Sequence, residues 1–259
     1  MVSSDPGNPV VSAKASQDHY DRLAATYDEN WVHSPAFIEW MTAQIQRRLQ
    51  ITSTQLAADI GCGTGLFARG LAQHAAAVVC AEPSRAMLAQ LPIGERLIPV
   101  NASAEDLATG RVTLPHGRYD AILLKEVLHH VEDRAAVIGG LARLLRPGGR
   151  MLVVMLPTRI SYPLFSAALT LFSARQPDPA DVAAEMRAAG LAAQVSYDGF
   201  PLTFPAGRYL QMVRNRYMSL LSGFDDAQLE AGVAEIRRAH PEDSLTFTDT
   251  FAFVLGTAA

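Results

Sequence analysis

Cysteine is almost absent from the chain, which has two in 259 residues, Cys62 and Cys80. That excludes a disulfide framework, and neither residue stands in a CxxC or other metal spacing, so no metal site is expected. Reduced thiols in the cytoplasm are the expectation. A basic excess is also missing: 22 Lys and Arg against 26 Asp and Glu give a net charge of -4. Nucleic acid is thereby disfavoured as a partner, because neutralising phosphates takes a basic surface. No apolar run is long enough to span a bilayer; Tyr162 to Phe172 is interrupted by Pro163 and Ser166. At the amino terminus Pro6, Gly7 and Pro9 stand where the apolar core of a signal peptide would lie. Residues 1–15 read as a flexible tail.

What is present is a strand–helix alternation. Strands are expected at Leu56–Ile60, Ala77–Ala81, Leu97–Val100, Tyr119–Leu124 and Arg150–Leu156. Helices are expected between them at Leu66–His74, Ser84–Leu91, Ala104–Ala108 and Asp133–Leu145. This is the pattern of an α/β fold with a doubly wound parallel sheet, whose ligand edge lies at the strand C-termini. Before it, His19–Leu49 has helical periodicity, so 16–50 reads as a helical cap. After it, helices are expected at Arg159–Ala174 and Pro179–Ala189, and strands at Leu191–Tyr197 and Leu245–Leu255. The last strand, by its Thr/Phe alternation, belongs antiparallel at or beside the sheet edge. Residues 51–259 then form one domain of seven mostly parallel strands with helices on both faces. A helical lid is inserted at about 205–240, where Asp225 can cap its second helix.

The chemistry centres on Asp59-Ile60-Gly61-Cys62-Gly63-Thr64-Gly65, a glycine turn between the first strand and the first helix. Such turns let backbone approach a ligand more closely than a Cβ allows. A dinucleotide fingerprint needs a third glycine three residues after the second, and Leu66 stands there. Asp59 would repel a pyrophosphate but suits an ammonium group. Glu82, ending the second strand, is placed to accept two ribose hydroxyls; the alternative is a helix-dipole acid with Pro83 as the first helical residue. Ser103 and Asp106 have the spacing of a capping box. Met87 also reads as an ordinary core residue, and Tyr20, Tyr27 and Trp31 as a packed helix stripe.

The glycine turn, Glu82, the Asn101–Leu107 loop, His129-His130 and Arg146-Pro147-Gly148-Gly149 occur in an order that resembles class I S-adenosylmethionine (SAM) dependent methyltransferases of the small-molecule type. The resemblance is strongest over Leu56–Leu156. It implies a Rossmann-like fold and SAM as cofactor, with S-adenosylhomocysteine as product. Asp59, Gly61, Cys62, Gly63, Glu82 and Pro83 would hold the methionine and ribose parts. Met87, Ser103, Ala104 and Glu105 would surround adenine, and Lys125 and Glu126 would flank the methyl end. The amino-terminal helix would fold over the cofactor through Tyr20 and Tyr27.

His129 and His130 are the candidate general bases, since histidine titrates near neutrality. Trp31, His129, Phe165, Phe204 and Arg208 are the candidate acceptor contacts, the phenylalanines walling an apolar pocket with Phe172, Leu169 and Phe200. Arg208, Tyr209, Arg214, Arg216 and Tyr217 form a set that could bind an anion. A small, fairly hydrophobic molecule accepting methyl on oxygen, nitrogen or carbon is expected. The alternatives are a SAM-binding protein of this fold that does not methylate, acting in a cyclisation, a rearrangement or as a binding module; an NAD-dependent oxidoreductase; and a protein or nucleic-acid methyltransferase.

Overall fold

A computed structural model describes residues 34–259 apart from 93 and 95. Helix α1 (Pro35–Leu49) starts on an N-cap serine, Ser34, whose hydroxyl accepts from the Phe37 amide. The expected helix from His19 to Leu49 is therefore not one uninterrupted helix. Phe37, Met41, Ile45 and Leu49 recur every four residues and bury one stripe of α1 against the sheet. The alternating core follows: β1 (Leu56–Ile60), α2 (Ala68–Ala72), β2 (Ala77–Ala81), α3 (Arg85–Leu88), β3 (Leu97–Val100), α4 (Ala104–Ala108), β4 (Tyr119–Lys125), α5 (Arg134–Ala142) and β5 (Leu145–Met155). β5 begins at Leu145, before Pro147-Gly148-Gly149, because Leu145 already pairs with Tyr119 across a bulge.

The rest of the chain comprises α6 (Ser166–Arg175), α7 (Pro179–Ala188), β6 (Leu191–Pro205), α8 (Ala206–Arg214), α9 (Asp226–Ala239) and β7 (Ser244–Ala258). The expected helix at 159–174 thus starts seven residues later. The seven strands lie in the order β3-β2-β1-β4-β5-β7-β6, β1 to β5 parallel and β7 antiparallel to both neighbours. Side chains alternate along the strands, so Ala57, Ala121, Leu123 and Val154 join α1 and α6 on one face. Ala58, Ile122, Leu124 and Val153 join α5 and α7 on the other.

β6 is twice the expected length. Gly199, Pro201 and Pro205 argue against a strand there, but β6 is an edge strand, where a missing N–H can face solvent. It pairs with β7 from Leu191↔Ala258 to Pro205↔Ser244, whereas β5 reaches β7 only from Arg150↔Thr257 to Met155↔Ala252. Residues 244–251 consequently run on past the C-terminal end of β5. The hairpin forms a wall above the ligand edge, with α8 and α9 inserted between its strands.

Candidate functional site

The glycine turn is fixed by two amides: Gly61 and Cys62 donate to the Ala81 carbonyl at 2.8 and 3.1 Å. Gly61, Gly63 and Gly65 have φ of +72°, +57° and +77°, a region that L-residues rarely enter. A Cβ on Gly61 would come within 2.4 Å of Val127 Cγ2, so sterics require glycine there independently of φ. Cys62 lies inside this turn. Its thiol is pushed up by its hydrogen bond with Cys80 and by burial, so it stays protonated and non-nucleophilic.

Glu82 braces the same turn. One carboxylate oxygen accepts from the Gly63 amide and the other from the Ser84 amide, each at 3.0 Å. Ser84, not Pro83, caps α3, accepting from the Met87 amide. Pro83 therefore lies before the cap and is not the first helical residue, while Glu82 holds the amide of the N-cap itself. Each carboxylate oxygen has two acceptor sites, so ribose hydroxyls can still be received. Met87 is buried against the turn, its methyl 3.5 Å from where a Gly63 Cβ would stand.

Ser103 and Asp106 make both halves of a capping box on α4, with Ala104 and Glu105 in its first turn. Asn101 opens the expected Asn101–Leu107 loop and has a role that the sequence did not assign to it. Its amide donates to the Glu82 and Pro83 carbonyls at 2.9 and 2.8 Å, pinning the β2 exit to the β3 exit. Its place directly after a strand on the ligand edge was the available signal.

At the β4 exit, Glu126 has φ +56°, and its side chain accepts from the Leu156 amide at 2.8 Å. Lys125 places its ammonium 4.8 Å from the Phe67 ring centre and 5.6 Å from that of Phe251. Burial lowers the Lys125 pKa, while Glu126, Asp249 and Asp59 act the other way. Asp59 is pushed up to about 7 by burial, with Lys125 opposing and Glu82 adding. An acid held that high for want of a counter-charge suits an incoming ammonium. The His129 and His130 rings lie with centres 3.9 Å apart and planes tilted by 50° on a 3₁₀ turn, Leu128–His130. Burial, then Lys125, lowers His129 to about 4.

The lid residues separate. Phe165 packs against Phe224 at 5.0 Å and against Gly232, and Phe204 stacks on Phe247 at 6.0 Å. Arg214 grips Glu230 at 2.7 and 3.0 Å and Arg216 pairs with Asp226 at 2.8 Å, so these arginines tie the end of α8 and the turn after it to α9. Tyr209 and Tyr217 bury their hydroxyls against each other at 2.9 Å. Of the expected anion-binding set only Arg208 stays exposed without such a tie. Phe200 is spent on α1, at 5.4 Å from both Phe37 and Trp40. Tyr20, Tyr27 and Trp31 lie outside the described residues. A second oversight of the sequence reading is Asp249, whose carboxylate accepts from the Tyr162 hydroxyl at 2.6 Å.

Two buried acids at the C-terminal ends of adjacent parallel strands thus flank a positive-φ glycine turn, an arrangement whose charge and open backbone suit a ribose-bearing cation. Residues 58–153 match a family model described as a methyltransferase domain. This part of the chain is similar to methyltransferase domains, a likeness that covers 96 of its 259 residues. A ubiquinone biosynthesis O-methyltransferase of Xanthomonas oryzae is 30% identical over 156 residues, 54% of this chain and 62% of the relative. The chain thus spans less than two thirds of that relative's length. An uncharacterized methyltransferase of Mycobacterium bovis is 31% identical over 105 residues, covering 40% and 52% of the two chains.

Among solved structures, the [4+2]-cyclase SpnF superposes with TM-score 0.65 at 16% identity over 97% of this chain and 98% of its own. Phosphoethanolamine N-methyltransferase 2 of Haemonchus contortus, in complex with SAM, gives 0.62 at 17% over 96% and 60%. Both share the fold. The cofactor of such methyltransferases is SAM, as in the last of these structures, and the residues present fit it: two buried acids, Asp59 and Glu82, flank a turn in which Gly61, Gly63 and Gly65 carry no Cβ. Among the described residues no helix is long and apolar enough to cross a membrane.

Proposed function

We propose that the chain is a SAM-dependent methyltransferase acting on a small, partly hydrophobic organic molecule. The observation that carries this reading is the pairing of Asp59 and Glu82 across the glycine turn, inside the matched domain. SAM supplies a methyl group activated by a positively charged sulfur. The protein's part is positioning, because an in-line displacement gains most of its rate from holding the acceptor at contact distance. Asp59 takes the amino-acid end, Glu82 the ribose, and the Ser103–Glu105 turn with Met87 the adenine. Lys125 and Glu126 border the reacting end, with His129 beside them. Tyr20, Tyr27 and Trp31 belong to this proposal as a cap over that end, since α1, which follows them, packs on the face that carries Lys125.

The relative named as an O-methyltransferase supports oxygen as the accepting atom. The likeness to a [4+2]-cyclase is the one observation favouring a non-methylating catalyst on the same fold. Calorimetry tests the main reading: S-adenosylhomocysteine should bind, and NADH should not. Glu82→Ala removes two charge-assisted ribose contacts of about 1.5–3 kcal/mol each before water compensates. Affinity should fall by at least tenfold; an unchanged affinity removes Glu82 from the ribose site. Mass analysis then separates methyl transfer from rearrangement.

A further inference from the structure

β7 carries a single acid within a row of buried apolar residues. Leu245, Phe247, Asp249, Phe251 and Phe253 alternate onto one face and are all buried, while Thr246 and Thr248 face solvent between them. An acid with only a structural surface role would sit at one of the threonine positions, where water solvates it. Burying a carboxylate instead is costly unless it is paired or used. Asp249 has one strong partner, the Tyr162 hydroxyl at 2.6 Å, and among the described residues no ion pair within 4.0 Å.

Its position is equally telling. Asp249 lies three residues past Ala252, the last β7 residue level with β5, and so on the hairpin wall above the ligand edge. The Lys125 ammonium links the two regions, lying between Phe67 of the glycine-turn segment and Phe251 of β7. The acids that fit the cofactor end β1 and β2; Asp249 is a third acid, on the acceptor's side of Lys125. The groups facing it are Tyr162, Lys125, Glu126, Tyr209 and Tyr217. Burial pushes its carboxyl up to about 7, against the Tyr162 hydrogen bond and Lys125. A base is most useful when it titrates near the working pH. His129, lowered to about 4, is a much weaker one.

We propose that Asp249 is the general base for a hydroxyl-bearing acceptor, oriented by Tyr162 as a positioning residue. This rests on the methyltransferase reading above. In the step, the acceptor O–H gives its proton to the Asp249 carboxylate as the new O–CH₃ bond forms. The S–CH₃ bond breaks with its electron pair staying on sulfur, so sulfonium plus carboxylate become sulfide plus carboxylic acid.

The test uses the full chain saturated with S-adenosylhomocysteine and catechol as probe, a hydroxyl compound that stays neutral below pH 8. Catechol affinity should tighten about tenfold from pH 6 to pH 8 in the wild type, as Asp249 ionises, and stay flat in Asp249→Asn. With SAM present, catechol methylation read by mass should fall at least a hundredfold in that variant, with S-adenosylhomocysteine affinity within twofold of wild type. Equal pH dependence in the two proteins, no catechol binding by the wild type, or binding without methylation overturns the proposal. Should Asp249→Asn fail to fold, Tyr162→Phe decides. Loss of that hydrogen bond must move the midpoint of the catechol pH profile upward, and an unmoved midpoint overturns the role. A wild type that does not bind S-adenosylhomocysteine overturns instead the methyltransferase reading beneath it.

Discussion

Burying Asp249 in the β7 phenylalanine row couples the stability of the fold to one proton. Its folded pKa, about 7, is above the ordinary 3.8. Its contribution is therefore fully present below pH 3.8 and is lost as pH rises through 7. Between those limits the native state holds a proton that the unfolded chain has released, and the loss is about 1.4 kcal/mol per pH unit. Asp249→Asn has no such proton. From pH 5 to pH 7 the wild type should therefore lose about 2 kcal/mol relative to the variant, measured by urea unfolding at each pH. His129 runs the opposite way, its contribution being lost as pH falls from 6.5 towards 4. It is present in both proteins and cancels. A difference between wild type and variant that does not change with pH would mean that Asp249 titrates as an ordinary carboxylate.

At the scale of elements, the parallel core was legible because short apolar strands alternate with helical segments from Leu56 to Met155. Gly61, Gly63 and Glu82 announce themselves by type and spacing. The hairpin was not legible, for two physical reasons. Pro201 and Pro205 suppress a strand assignment that edge position permits, and Asp249 sits in period with phenylalanines, where only burial reveals that it is unusual. The arginines of the inserted helices misled in the other direction, because Arg214 and Arg216 find acids on the next helix, 16 and 10 residues on, at spacings outside the i+3 and i+4 pattern of a single helix.

The seating of α9 depends on Gly232, where an added Cβ would meet three Phe165 ring atoms at 2.4 to 2.8 Å. Phe165 is itself held edge-on by Phe224, so it cannot retreat freely. Gly232→Ala gains up to about 1 kcal/mol of helix propensity, but overpacking costs about 1–3 kcal/mol. The net effect should be a loss of about 1 kcal/mol in urea unfolding, with S-adenosylhomocysteine affinity unaffected because α9 borders the hairpin side. A stabilised variant would show that the helix and Phe165 are not packed rigidly.

At the scale of the whole molecule, the ligand edge collects more acid than Lys125 neutralises. Asp59, Glu126 and Asp249 face one lysine across the ligand edge, and burial raises all three acids. A ligand that brings an ammonium group to Asp59 relieves part of that cost only in the folded state, so binding adds directly to folding stability. At a concentration a hundred times its dissociation constant, S-adenosylhomocysteine should add about 2.7 kcal/mol. For a domain of this size, that corresponds to a rise in melting temperature of roughly 5–10 °C. NADH at the same concentration should leave the transition where it is, because its pyrophosphate would face Asp59. The rise should be larger at pH 8 than at pH 6: at pH 6 most of the Asp59 carboxyl is protonated, and binding must first expel that proton. Thermal melts at the two pH values read both predictions at once. An equal rise at both would mean that Asp59 does not receive the ammonium group.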